Sequence, residues 1–198
     1  MTRNEKTKKI TLTAIFSAMI IILSFLPLKI GAIEMTLAII PIAVGAILGG
    51  RFTGLVLGLV FGLVSFIQCF GFSAFGVQLL AINWFYTLLV CIPTRILAGY
   101  ITGLLFEIIS KHNKLVGIIT ASVIMPLLNT LLFTGMFIIL FNNSAFFHQL
   151  EITLNSTNIF SFVVGFVGIN GLVEALCGIL ITIPIAKALQ VYTNRYDV

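Results

Sequence analysis

Few side chains in this sequence are equipped for chemistry, and the most informative is Arg95, at the end of the stretch WFYTLLVCIPTR (residues 84–95). The chain stays apolar through residues 96–106, so the charge lies inside a segment of membrane-crossing length. A charge at that depth costs at least about 2.5 kcal/mol on insertion scales, so it is paired, faces the interior of a bundle, and points to a ligand site or pathway. Pro93, two residues earlier, deprives the Leu89 carbonyl of its usual helical partner. At helical spacing Trp84, Cys91 and Arg95 fall on nearly one face, which makes a candidate binding wall. The competing reading is an ion pair that only locks two helices together.

The other polar residues of the apolar runs cluster with Arg95 by depth. Asn170 and Glu174 stand one turn apart in the last run, and Asn129 follows Pro126 by three residues in the run before it. Two roles for Glu174 compete. It pairs with Arg95 in a buried, structural contact, or it accepts a ligand hydroxyl while Arg95 holds a ligand carboxylate through its planar fork. A proton relay would usually need more than one intramembrane carboxylate. Gln68, Gln78, Asn83, Trp84 and Tyr86 form a second tier, because polar and aromatic residues near a membrane interface often act only as anchors. Together these residues suggest a cavity that opens outward.

The elements that must position them are membrane helices. Of the 198 residues 60% are hydrophobic and 9% charged, against about 25% charged in soluble domains. The expectation is an all-α, polytopic membrane protein with six transmembrane helices in a single domain, residues 1–198. The spans run roughly 10–26, 35–48, 52–70, 80–108, 116–141 and 159–189. The second is short and carries Pro41, and the last is long enough to extend beyond a bilayer.

With the N-terminus inside, Arg3, Lys6, Lys8, Lys9, Arg51, Lys111, Lys114, Lys187 and Arg195 all fall on the cytoplasmic side, and only Lys29 in an outer loop. That positive-inside bias places both termini in the cytoplasm and makes the chain a multi-pass protein of the cell membrane. The N-terminal run is too long for a signal peptide, lacks an Ala-x-Ala-type site and is followed by further spans. Residues 71–79, uncharged with alternating aromatics and glycines, and 142–158, polar but carrying Phe146 and Phe147, read as outer loops that fold over something as lids. Gly54, Gly58 and Gly62 form a small-residue ladder suited to close helix packing.

No nucleotide-binding G-x-x-x-x-G-K-[ST] loop, H-E-x-x-H or G-x-S-x-G is present, and neither His112 nor His148 has a metal-ligand partner in the sequence. Cys69, Cys91 and Cys177 show no metal or redox spacing and read as small core residues. An enzyme is not expected, nor a cofactor, a metal or a nucleic-acid partner. A membrane binding protein that draws energy from a partner fits better.

Six spans in about 200 residues, with Ala14 and Ala18 spaced on one face of the first helix, resemble the substrate-binding S components of energy-coupling factor (ECF) vitamin transporters. The stretch TLAIIPIAVGAILGGRFTGLVLGLVFGLVSF (residues 36–66) is similar to the second and third helices of that family. The resemblance covers nearly the whole chain and is greatest for the pantothenate members. It implies a vitamin site in the outer half, and a docking role for Ala14 and Ala18 toward a transmembrane coupling subunit driven by two cytoplasmic ATPase subunits. Pantothenate, an anion with an amide and two hydroxyls, suits one arginine with several amide side chains. Folate, riboflavin, biotin and hydroxymethylpyrimidine or thiamine are the alternative cargoes. The rival readings are a solitary ion-driven transporter, a membrane-embedded enzyme and a structural scaffold.

Overall fold

The computed structural model describes the backbone of residues 3–26, 28–30, 33–35 and 37–195, and the side chains of residues 6–26, 37–166, 176 and 178–188. Helices dominate: α1 (Arg3–Ser24), α2 (Ile39–Gly49), α3 (Arg51–Gln68), α4 (Ala74–Ile82), α5 (Trp84–Ile109), α6 (Lys114–Phe141), α7 (Ala145–Thr153) and α8 (Ile159–Arg195). Between α1 and α2 runs an antiparallel hairpin, β1 (Leu28–Ile30) and β2 (Ile33–Met35), in the register Leu28–Met35 and Ile30–Ile33. That hairpin occupies part of the segment expected as the first outer loop, and β2 lies near α8.

Local chemistry sets the helix starts. Ser73, Asn83, Asn113 and Ser144 each turn a side-chain oxygen onto backbone N–H groups of the first turn that follows, which have no partner within the helix. Before α8, Asn158 Oδ1 accepts from the Ser161 N–H at 2.8 Å while Ser161 Oγ accepts from the Asn158 N–H at 3.1 Å. This is the reciprocal form of the same cap. The cap at Asn83 divides the span expected from residue 80, so residues 80–82 close the short α4 and the long helix begins at Trp84. The segments expected as lid loops are thus largely helical: α4 fills most of 71–79 and α7 most of 142–158.

Among the described residues, four helices are long and apolar enough to cross a bilayer: Lys6–Ser24, Arg51–Gln68, Trp84–Ile109 and Lys114–Phe141. With 11 residues, α2 spans only about 16 Å and falls short of a full crossing. It is instead almost wholly buried against its neighbours. In α8, 37 residues long, the described apolar stretch is Gly178–Ala188.

The tightest seam joins α3 to α5, and glycines make it possible. A methyl added at Gly54 would overlap the Gly99 carbonyl oxygen, and one added at Gly99 would overlap that of Gly54. At Gly58 the methyl would stand 3.0 Å from the Arg95 carbonyl carbon, and at Gly62 2.9 Å from Ile92 Cα. The glycine ladder therefore fixes the height at which α5 holds Arg95. At the other end of the seam, Glu107 Oε1 accepts from the Arg51 N–H at 2.9 Å and caps α3 from across the bundle. Gly50 permits the reversal there, with φ of 83°.

Three apolar clusters lie along the bundle among the described residues, the smallest of them Ile47, Phe106, Ile118, Ala121 and Ala186. Of the larger two, one joins α1, α2, α3, α5 and α6 through Phe16, Ile20, Ile42, Leu57, Phe61, Ala98 and Met125. The other gathers Leu79, Val90, Phe137, Phe141, Phe147 and Phe162, with Phe75, Phe133, Phe146 and Phe166 packed against them.

Candidate functional site between two apolar clusters

Arg95 lies about 17 Å along a helix about 39 Å long and is buried, with 8% of its surface exposed. Its Nη1 donates to the carbonyls of Cys91 at 3.1 Å and Val90 at 3.3 Å. These belong to the turn that Pro93 loosens by lacking an N–H and pressing its ring on the turn before it. The guanidinium thus finds acceptors on its own helix. Its Cζ stands 4.9 Å from the Phe61 ring centroid and 5.1 Å from that of Phe133. Each such contact is worth about 0.5–2 kcal/mol, a partial return on the cost of placing a cation here. Phe61 belongs to the first cluster and Phe133 packs on the second, so Arg95 marks the polar layer between them.

Asn129 stands one turn before Phe133 on α6, 9% exposed. Its Oδ1 is buried without a hydrogen-bond partner among the described residues. A buried polar atom left in that state costs about 1–3 kcal/mol, so a native chain needs a reason to retain it. Neighbouring hydroxyls are satisfied locally: Thr94 donates to the Val90 carbonyl, Thr102 to the Ala98 carbonyl at 2.7 Å and Ser122 to the Ile118 carbonyl at 2.8 Å. Thr102 Oγ1 also meets Met125 Sδ at 3.4 Å. These three hydroxyls are thus met by the backbone of their own helices.

On one side the layer meets an aromatic assembly. The Phe75 ring from α4 lies 6.2 Å from Phe133, 5.3 Å from Phe137, 5.6 Å from Phe146 and 5.6 Å from Phe166. Phe147 from α7 packs 4.6 Å from Phe162 and 5.8 Å from Phe137. The two short helices thus bring phenylalanines from outside the long helices onto α6 and α8.

The structure brings Arg95 and Asn129 to this layer and sends other expected residues elsewhere. Gln68 donates from Nε2 to the Ser24 carbonyl at 2.6 Å and ties α3 to the end of α1. Asn83 spends Oδ1 on the N–H groups of Phe85 and Tyr86. Gln78 is exposed. Trp84 shares a helical face with Cys91 and Arg95, but as the first residue of α5 it is 63% exposed, so the expected aromatic wall does not include it. Tyr86 is 38% exposed and lies edge-on to Phe141 at 5.9 Å. Asn170, Glu174 and Cys177 belong to α8, and their side chains lie outside the described residues. Sequence reasoning missed Phe61 and Phe133. The signal for Phe133 was present, because Asn129, Phe133, Phe137 and Phe141 recur every four residues on one face of α6.

A helical bundle of membrane-crossing length, with a buried cation and an unmet amide oxygen between two apolar clusters, has the features of a membrane protein that binds a small polar solute. The sequence matches the ECF transporter, substrate-specific component family over residues 8–186, and the chain belongs to that family. It is accordingly a transporter subunit and not an enzyme, a membrane component that binds a small molecule and works with an ECF module. A search of curated proteins finds no match.

Proposed function

We propose that this chain captures a vitamin, pantothenate in particular, from outside the cell membrane and delivers it through a coupling subunit driven by two cytoplasmic ATPases. The observation that carries the reading is the pairing of a buried, ring-flanked Arg95 with the unmet Oδ1 of Asn129 in one layer. A guanidinium held by its own helix suits a carboxylate. An amide oxygen without a donor suits a hydroxyl or amide N–H. The phenylalanines overhead suit the branched carbon skeleton between those groups. Asn170 and Glu174, which the sequence sets at similar depth, complete the proposed ligand set, while Gln68, Gln78, Asn83, Trp84 and Tyr86 take the second-tier role of interface anchors around it.

In the proposed topology the whole chain is one domain of six membrane-embedded helices with both ends cytoplasmic, in which the short, buried α2 together with the segment before it completes the second passage. The lysine and arginine distribution supports it, and α4 and α7 then lie on the outer face as covers. Ala14 and Ala18 are assigned to docking with the coupling subunit. Both are exposed on α1, beside exposed Ile10, Ile15 and Ile22.

The test is a vitamin panel on purified protein, read by thermal shift and calorimetry. A ligand that binds only the folded state stabilises it by RT ln(1 + [L]/Kd), about 4.1 kcal/mol at a thousandfold excess over Kd. A shift with pantothenate alone supports the assignment, and a shift with another vitamin instead removes pantothenate. Proteoliposomes holding this chain alone should bind vitamin but accumulate none, and uptake driven by a proton or sodium gradient would favour a solitary transporter. Replacing Ala14 and Ala18 with leucine should leave affinity intact and break co-purification with the coupling subunit. Unchanged co-purification would remove that docking face.

A further inference from the structure

Read along the sequence, the cysteines are inert core residues. In space, two of them touch. Cys69 Sγ and Cys91 Sγ lie 3.9 Å apart, both buried, one at the C-terminal end of α3 and the other on α5. Cys69 also donates to the Ser65 carbonyl at 3.3 Å, and Ser65 Oγ lies 3.9 Å from Cys91 Sγ. A third element meets the same sulfur. A methyl added at Gly76 of α4 would stand 2.6 Å from Cys69 Sγ, so α4 rests directly on it. Cys91 in turn supplies a carbonyl that holds Arg95, one turn further along α5. The pair therefore sits where α3, α4 and α5 converge, next to the polar layer.

We propose that Cys69 and Cys91 are an oxidative modification site, forming a reversible intramolecular disulfide that clamps the end of α3 to α5 one turn ahead of Arg95. The sulfurs need only close from 3.9 Å to about 2.05 Å, a movement within reach of side-chain rotation and a small backbone adjustment. The oxidant is a low-molecular-weight disulfide. One protein thiol attacks it and releases one small thiol, leaving a mixed disulfide, and the second protein thiol attacks that and releases the other. Two protein S–H bonds and one small S–S bond break, while one protein S–S bond and two small S–H bonds form. Access runs past α4, a thin cover in which only Gly76 and Leu79 are buried.

The experiment treats the purified full chain carrying Cys177→Ala with hydroxyethyl disulfide and measures its intact mass. The expected result is a mass lower by two hydrogens with no retained adduct, and a digest peptide joining residues 69 and 91. The unfolding temperature should rise and return to its starting value on reduction. Cys91→Ala should instead retain the small adduct on Cys69. Persistent mixed disulfides on both cysteines, or both thiols still alkylated in full after denaturation without reductant, would overturn the proposal. If Cys177→Ala does not fold, peptide mapping of the oxidised natural sequence decides the same question, because a bridge to Cys177 counts against it.

Discussion

Gly58→Ala is the sharpest probe of how the fold positions Arg95. The added methyl would overlap the Arg95 carbonyl oxygen and stand 3.0 Å from its carbonyl carbon and 3.1 Å from Ile96 Cα. Restoring ordinary carbon contacts of about 3.5–4.0 Å requires α3 and α5 to separate by roughly 0.5–1 Å. The obstacles are backbone atoms, so no rotamer change relieves the clash. Overpacking of this kind costs about 1–3 kcal/mol, and for a chain of this size that corresponds to a fall of roughly 4–8 °C in Tm at the middle of the range. Gly135→Ala is the matched control, since a methyl there meets nothing within 4 Å and gains about 0.8–1 kcal/mol of helix propensity. Thermal unfolding of both variants in detergent makes the comparison, with ligand affinity as a second readout. Gly58→Ala should unfold earlier and bind more weakly, and Gly135→Ala should do neither. Equal melting of the two variants would refute the glycine-ladder account of the Arg95 position.

Two further perturbations separate stability from function. Asn129→Leu removes a buried oxygen that lacks a donor, so the empty protein should be as stable as before or slightly more so, while affinity for ligand falls by at least about tenfold, or 1.4 kcal/mol. Paired thermal and calorimetric titrations check it, and a loss of stability with affinity intact would make Asn129 structural. Glu107→Ala should cost about 1 kcal/mol, mostly through the lost cap on the Arg51 N–H. The ion pair with the Arg51 side chain at 3.6 Å adds little because both groups are 40% exposed. Glu107→Gln should recover most of that loss, and in thermal unfolding equal damage from both substitutions would shift the credit to the ion pair.

The long helices were legible because a bilayer demands apolar runs of a set length, and those runs survive in the sequence even where α2 proves too short to cross. The short helices were not, because α4 and α7 lie in segments whose mixture of glycine, phenylalanine and polar residues carries no membrane-length signal. Their caps were nonetheless written there, as Ser73 and Ser144, and Asn83 announced the break that hydropathy alone runs through. Arg95 stood out by charge and depth. Its flanking rings did not, since Phe61 and Phe133 come from other helices and only packing brings them to it. The contact between Cys69 and Cys91 was equally invisible, because no local spacing encodes the meeting of two helices. Chemistry-bearing residues can be read from type and depth, whereas their partners depend on the register of the α3–α5 seam.

The central claim is that Arg95 holds the carboxylate of the cargo, and the most direct measurement is calorimetry with pantothenate and with its alcohol analogue, on the natural sequence and on Arg95→Ala. The account predicts that the natural sequence prefers the acid by at least about tenfold, and that Arg95→Ala, still folded, loses that preference along with most of its affinity. Equal affinity for acid and alcohol in the natural sequence, or an acid preference that survives Arg95→Ala, would contradict it.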